Sequence, residues 1–341
     1  MALRDALAAR AQETAPFADA HVIGLPRALM YYRLHTKWRT FFEALGREVR
    51  VSAPSDRGTF EHGQALSVDE CCLASKLYLG HVAALAEDVS VDAVFVPSLA
   101  PAGRFLTWCT KFQALPDLTE SAFVVAERPV RVLSELLYEG SSDKEERASY
   151  VRLAAKLGVG AKEATRAWKE AARAQREADA SLARAQADLL ASMAKLPKGE
   201  RPLRILVAAH PYVAHDPYVG GVVTDALKAN GATVVFADEC DHARAIKRSQ
   251  DFSPSLPWTV NREVVGAILL LQDQVDGVVL MSAFPCGPDS MADDAIARCV
   301  HGLPLLTLTV DAQSGTAGVE TRVESFCDIL SYQRRGGYLN A

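Results

Sequence analysis

Asp276-Gly277-Val278-Val279-Leu280-Met281-Ser282-Ala283-Phe284-Pro285-Cys286-Gly287-Pro288-Asp289-Ser290 runs from an apolar stretch through a tight turn toward Met291-Ala292-Asp293-Asp294-Ala295-Ile296-Ala297. The apolar run at 276–281 predicts a strand buried on both faces, as in a parallel sheet. The segment from Met291 predicts a helix, with Asp289 or Ser290 accepting bonds from its first N–H groups. Cys286 then sits on a strand-to-helix turn at the carboxyl edge of a sheet, where ligands of open α/β folds collect. The positive end of the helix favours a thiolate there, the form that attacks or binds metal. A buried cysteine packed as a small hydrophobe is the competing reading.

The same alternation extends outward. Residues 21–25, 48–51, 91–97, 203–209, 234–237 and 303–310 read as further strands. Pro26 opens a helix to about residue 45, and Gly46 ends it as a C-terminal cap. Ser67-Val68-Asp69-Glu70 and Thr321-Arg322-Val323-Glu324 match capping boxes. The first box predicts a helix to about residue 87 with Cys71 and Cys72 in its first turn. Helices are also expected near 222–229, 261–272 and 291–300. Strands alternating with helices predict βαβ units and a parallel sheet.

Residues 144–195 differ, being rich in Ala, Glu, Lys, Arg and Gln, with Gly158 and Gly160 as the breaks. Trp168, Leu182, Leu189 and Leu196 are spaced by multiples of seven and predict one narrow apolar seam. A helical hairpin joining two sheets is the simplest reading, and a partner-binding coiled coil is the other. Residues 197–202 form a proline-bounded basic link. The expected architecture is α/β. It has an N-terminal Rossmann-like doubly wound domain over 1–140, a helical hairpin insert over 141–200 and a C-terminal Rossmann-like domain over 201–341.

The chain has 341 residues, 49% of them hydrophobic and 23% charged, the composition of an ordinary globular protein. A net charge of −5 gives no electrostatic footprint for nucleic acid or an anionic membrane. No run reaches membrane-spanning length, and Met1-Ala2-Leu3-Arg4-Asp5 opens no signal-type apolar stretch, so a cytoplasmic protein is expected. The seven cysteines are odd in number and include no zinc-ribbon pair, which points to thiols, redox groups or metal ligands rather than disulfides.

Cys71 with Cys72, Cys109 and Cys286 each fall at a strand end or a helix start. If such edges face one cleft, three thiolates can hold an iron–sulfur cubane with one iron open. His210-Pro211-Tyr212-Val213-Ala214-His215-Asp216-Pro217 follows the strand at 203–209. His210, Tyr212 and His215 are candidates to donate hydrogen bonds or move protons, against an Asx turn with merely exposed histidines. Gly220-Gly221 permits close phosphate approach. Asp311 opens the loop at 311–318, which is otherwise read as a connector. Lys76 and Lys111 either offset the charge of an anionic cluster or are solvated surface groups.

Residues 23–32, 38–46, 67–81, 109–112, 210–212, 284–290 and 317–330 together resemble the 2-hydroxyacyl-CoA dehydratase superfamily. The similarity is greatest to its acyl-CoA dehydratase activase-related branch, whose relatives include double-cubane-cluster proteins. The resemblance implies two Rossmann-like domains holding a [4Fe-4S] or double-cubane cluster on Cys72, Cys109 and Cys286. Cys72 rather than Cys71 matches the Cys-Leu-Pro-x-Lys pattern, with Ala74 in place of the usual proline and Thr110 in place of another. It further implies one-electron reduction by a separate ATP-dependent activase. Some relatives convert a 2-hydroxyacyl thioester to a ketyl and expel hydroxide, and others reduce small molecules. No Walker loop or Gly-rich kinase turn occurs in this sequence, so the ATP step belongs to a partner.

The expected function is therefore an iron–sulfur reductase or dehydratase (lyase) component. Cys72, Cys109 and Cys286 are its ligands, and His210, Tyr212 and Asp311 shape the open face. Its expected partners are the activase and an acyl-CoA or small-molecule substrate, in a homo- or hetero-oligomer, without nucleic acid or membrane. The alternatives are a non-catalytic cluster-carrying or scaffold subunit and a metal-free binding protein of the same architecture.

Overall fold

The structure, a computed structural model, describes residues 15–101, 103, 106–197, 200–311 and 316–334. The sequence segment 1–5, and parts of 197–202 and 311–318, lie outside the described residues. The chain divides into two compact units. The first holds the described residues up to Asp69 with Ser75–Ala178, and the second holds Glu70–Ala74 with the described residues from Asp179.

In the first unit, β1 (Val22–Leu25), β2 (Glu48–Val51), β3 (Ala93–Phe95) and β5 (Val132–Leu133) form a parallel sheet in the order β2-β1-β3-β5. A small parallel pair, β4 (Ser98–Leu99) with β6 (Leu136–Leu137), extends beyond it. In the second unit, β7 (Arg204–Ala209), β8 (Thr233–Phe236), β9 (Gly277–Ala283) and β10 (Leu305–Val310) are ordered β10-β9-β7-β8, again all parallel. Both sheets thus follow the doubly wound order 2-1-3-4, and the mixed α/β class expected from the strand–helix alternation is what the chain adopts.

The two units also share a device at the start of their central strands. Asp92 accepts the N–H groups of His21 and Val22 at 2.7 and 2.8 Å, and Asp276 accepts that of Arg204 at 2.8 Å. Each aspartate stands just before the strand that pairs with the one it anchors: Asp92 before β3, Asp276 before β9. Every residue of β9 is buried. Burial of side chains such as Val278, Val279 and Leu280 is worth about 1.5–3 kcal/mol each, which is why this run reads as continuously apolar.

The helix Tyr31–Ala44 ends as its glycine predicts. Gly46 has φ +72°, its N–H reaches Glu43 O, and Arg47 N–H reaches Phe42 O, closing a Schellman motif. Its start is later than expected. Arg27 is held by Ser52, through N–H to Oγ at 2.8 Å and Nε to the carbonyl at 3.1 Å, and Leu29 turns to φ +51°, so helical geometry begins only at Tyr31.

Neither expected capping box forms. Ser67 Oγ donates back to Gly63 O at 2.5 Å, closing the preceding helix Arg57–Ala65, and the next helix is Leu73–Glu87. Cys71 and Cys72 therefore precede that helix instead of lying in its first turn. Asp56 makes the box that does form, with Thr59. Thr321 lies inside the helix Thr316–Arg334, where its hydroxyl donates to Ala317 O at 3.0 Å.

Helices Asp143–Lys156 and Ala161–Ala194 occupy the Ala/Glu/Lys-rich region, separated at Gly158 with φ +77°. The heptad seam is buried only at Trp168. Leu182, Leu189 and Leu196 are exposed, whereas Ala164, Ala167, Ala171, Leu190 and Met193 are buried. Small residues pack where the leucines were expected to. Glutamines fix the long helix to each unit. Gln175 takes Lys37 N–H at 3.0 Å and donates to Arg33 O at 3.1 Å, and Gln186 makes the same paired contact with Phe236 of edge strand β8 at 2.7 and 2.9 Å. No helix among the described residues is long and apolar enough to cross a membrane.

Candidate metal centre

In the second sheet the chain leaves β7 for β8 on one side and returns to β9 on the other. The carboxyl ends of β7 and β9 therefore flank a topological switch point, the position where doubly wound sheets bind ligands. His210 is the residue after β7, and Cys286 lies three residues after β9.

Cys286 occupies the residue before the helix Gly287–Cys299, which begins earlier than the sequence reading placed it because Gly287 and Pro288 supply its first turn. Asp289 lies inside this turn and is buried, and it is not the cap. Its Oδ1 accepts from Asn261 Nδ2 at 2.9 Å. His210 is also buried, and its Nδ1 is 2.6 Å from Tyr212 Oη. Its other nitrogen, Nε2, stands 3.0 Å from Asp289 Oδ1 without the alignment of a hydrogen bond. His210 Nε2 and Asp289 Oδ2 are both buried atoms lacking a hydrogen-bond partner. One ligand atom each from His210, Cys286 and Asp289 falls within 4.8 Å of the others.

The electrostatics correct the expectation of a ready thiolate. Burial, and then the Asp289 carboxylate, push the Cys286 thiol well above its ordinary range, outweighing the helix end. Asp293, one turn further on, is raised to about 7 by burial and by Asp289, with Ser282 opposing. A cluster of groups that resist negative charge has formed around two carboxylates and a thiol.

Cys72 is the half-buried residue before the helix Leu73–Glu87, and its neighbour Leu73 donates N–H to Phe284 O at 3.0 Å. Through that bond the segment reaches the turn that carries Cys286, and Cys72 adds to the charge opposing ionisation of Cys286. Cys71 is buried as packing. Cys109 belongs to the first unit, half-buried before the short helix Thr110–Gln113. Lys76 and Lys111 are also in the first unit, the former buried. Asp311 is exposed immediately after β10.

In the 210–217 loop the Asx turn forms, but neither histidine is exposed: His210 is buried and His215 half-buried. His210 and Tyr212 build the site. Asp216 makes an Asx turn, accepting from Tyr218 and Val219 N–H at 2.9 and 3.2 Å. His215 turns to Asp238, 2.8 Å away, and stacks on Phe236, so it takes no part in the site. Gly220 serves close packing and not phosphate: a Cβ there would lie 2.3 Å from the carbonyls of Val213 and Ala214. Asp289 and Asn261 carry the site beyond the predicted residues. The Cys286-x-x-Asp289 spacing is the only sequence signal for the former, and the latter has none.

Residues 22–240 match the model of a family described as the CoA enzyme activase uncharacterised domain (DUF2229). No curated protein matches the chain. Among solved structures, similarity extends to the C-terminal domain of glucosamine-fructose-6-phosphate aminotransferase from Francisella tularensis. That match has 11% identity and a TM-score of 0.22, covering 96% of this chain and 87% of the other. Glucosamine-6-phosphate deaminase from Thermotoga maritima gives 11% identity and a TM-score of 0.21 over 93% and 86%. The fold assignment rests on the strand order above.

Proposed function

The chain belongs to the family described as the CoA enzyme activase uncharacterised domain, and from that premise we propose that it is the iron–sulfur cluster-carrying component of a 2-hydroxyacyl-CoA dehydratase-like reductase or dehydratase. The observation that carries the reading is the nearness of Cys286, at the switch point of the second sheet, to Cys72 of the same unit. Neither cysteine is in a disulfide, and thiols are the donor type that iron–sulfur clusters use.

Cys72, Cys109 and Cys286 are the ligands of the proposal, and the cluster, when bound, supplies one-electron chemistry at low potential. His210 is oriented by Tyr212 at Nδ1 and turns Nε2 to the site, and Asp311 contributes a carboxylate at the next strand end. Electrons come from a separate ATP-dependent activase in the cytoplasm, and the substrate class is an acyl-CoA thioester. The test is anaerobic iron and sulfide analysis with absorption spectra of the parent, Cys72→Ala, Cys109→Ala and Cys286→Ala. About four irons per chain are expected in the parent and a clear loss in each variant. A colourless parent, or undiminished iron in Cys109→Ala and Cys286→Ala, rejects the assignment.

A further inference from the structure

We propose that His210 Nε2, Cys286 Sγ and Asp289 Oδ2 bind a single zinc ion within the second unit, leaving one coordination position open. The site goes beyond the cluster reading. It draws on the same Cys286, so zinc is the occupant before a cluster is assembled, and the cluster of the proposed function displaces it from that thiol.

Three independent features converge on it. The first is the donor set. One imidazole, one thiolate and one carboxylate suit a borderline-soft dication, which excludes magnesium and calcium, and zinc outranks ferrous iron for such ligands. Three protein ligands with an open fourth position is the arrangement of zinc sites that polarise a carbonyl or activate water. A thioester carbonyl is a ligand of the right chemistry for that position.

The second feature is which atoms are free. Each non-sulfur ligand has its other atom already occupied: His210 Nδ1 by Tyr212 Oη and Asp289 Oδ1 by Asn261 Nδ2. The remaining atoms, Nε2 and Oδ2, are buried and make no hydrogen bond, with Nε2 3.0 Å from Asp289 Oδ1. A buried polar atom without a hydrogen bond is unfavourable, and a metal ion relieves this at both positions. Tyr212 and Asn261 are the outer-shell partners that orient metal-binding histidines and carboxylates. With Nδ1–H donating to Tyr212 Oη, the lone pair of Nε2 faces the site.

The third feature is charge. Cys286, Asp289 and Asp293 crowd together, and among the described residues no lysine or arginine pairs with either aspartate. A dication supplies the missing positive charge. Tetrahedral zinc with bonds of about 2.0–2.3 Å sets its ligands roughly 3.5 Å apart. One ligand atom from each residue already lies within 4.8 Å of the others, so seating the ion draws them together by at most roughly an ångström.

The test uses the full chain, stripped of metal by chelator under anaerobic conditions. Zinc affinity is read by competition with a chromophoric chelator, and cobalt is read by its thiolate-to-metal absorption. One zinc per chain and one cobalt–thiolate band are expected. His210→Ala and Asp289→Asn should each weaken zinc by roughly a hundredfold or more, since even outer-shell changes cost ten- to a hundredfold. Cys286→Ser should abolish the cobalt band. Cys109→Ala should leave zinc binding unchanged while removing iron, so failure of the cluster reading and failure of the zinc site are separately visible. Far-UV circular dichroism checks that the variants fold, and the cobalt spectrum of the parent needs no substitution. Absence of that band, or parent-like zinc affinity in folded His210→Ala and Asp289→Asn, overturns the proposal.

Discussion

Lys37 holds its ammonium 2.7 Å from Glu139 Oε2, with both side chains almost wholly withdrawn from water. Glu146 Oε1 approaches the same Nζ at 2.5 Å, Tyr150 donates its hydroxyl to Glu139, and Trp168 Nε1 donates to Glu146 at 2.9 Å. Burial opposes the ammonium, but Glu139 and then Glu146 outweigh it and keep the lysine above its ordinary value. Lys37→Met strands two buried carboxylates and should cost about 3–5 kcal/mol in urea unfolding. Adding Glu139→Gln and Glu146→Gln should restore most of that loss. A single variant as stable as the parent would show that the network is worth nothing net.

The helices Arg57–Ala65 and Leu73–Glu87 touch backbone to backbone. A Cβ on Gly63 would fall 1.7 Å from Lys76 O, and one on Gly80 1.9 Å from Thr59 O. Gly63→Ala should therefore force the helices apart and destabilise the first unit by about 1–3 kcal/mol or more. Gly58→Ala, whose nearest neighbour would be Asp56 Oδ1 at 3.4 Å, should be neutral or slightly stabilising. Equal thermal midpoints for the two variants would contradict the close approach.

His81 gives the first unit an acid limit. Its ring bridges Ser52 Oγ at 2.9 Å and Ser55 Oγ at 2.8 Å, one nitrogen donating and the other accepting in the neutral form. Burial, with the Arg27 charge, depresses its pKa to about 4 against a small opposing pull from Asp56. The unfolded imidazole protonates near 6.5, so between the two values only the unfolded chain takes the proton. Stability from this group is full above about 6.5 and falls as pH drops toward 4, by up to about 3 kcal/mol. The urea midpoint of the parent should fall more steeply over this window than that of His81→Asn, and parallel slopes would remove the assignment.

The long helix offers a test of which face is packed. Leu182→Gln and Leu189→Gln should change stability by less than about 0.5 kcal/mol, while Leu190→Ala and Met193→Ala should each cost roughly 2–5 kcal/mol. The reverse ranking in chemical denaturation would reinstate the heptad seam.

These contrasts show where the sequence is informative. The β9 strand and the turn at Cys286 are legible because a buried parallel strand must be apolar throughout and Pro-Cys-Gly-Pro cannot continue it. Val91-Asp92-Ala93-Val94 and Val275-Asp276-Gly277-Val278 are a repeat legible in the sequence, and the shared anchoring aspartate explains it. The capping box at Ser67 looks as good as that at Asp56, but residues 70–74 belong with the second unit, where Leu73 bonds to Phe284. Such a pull from 211 positions away has no local signature. Asp289 is read as a cap for the same reason: its partners, His210 and Asn261, come from elements far along the chain.

That five-residue segment also sets how the protein can be dissected. Expressing residues 179–341 alone omits Cys72 and leaves the Phe284 carbonyl without the N–H of Leu73, just before the cis-proline turn that presents Cys286. A faithful half-molecule thus needs a peptide covering 70–74 added back or grafted on, and a naive truncation would understate whatever the intact polypeptide binds.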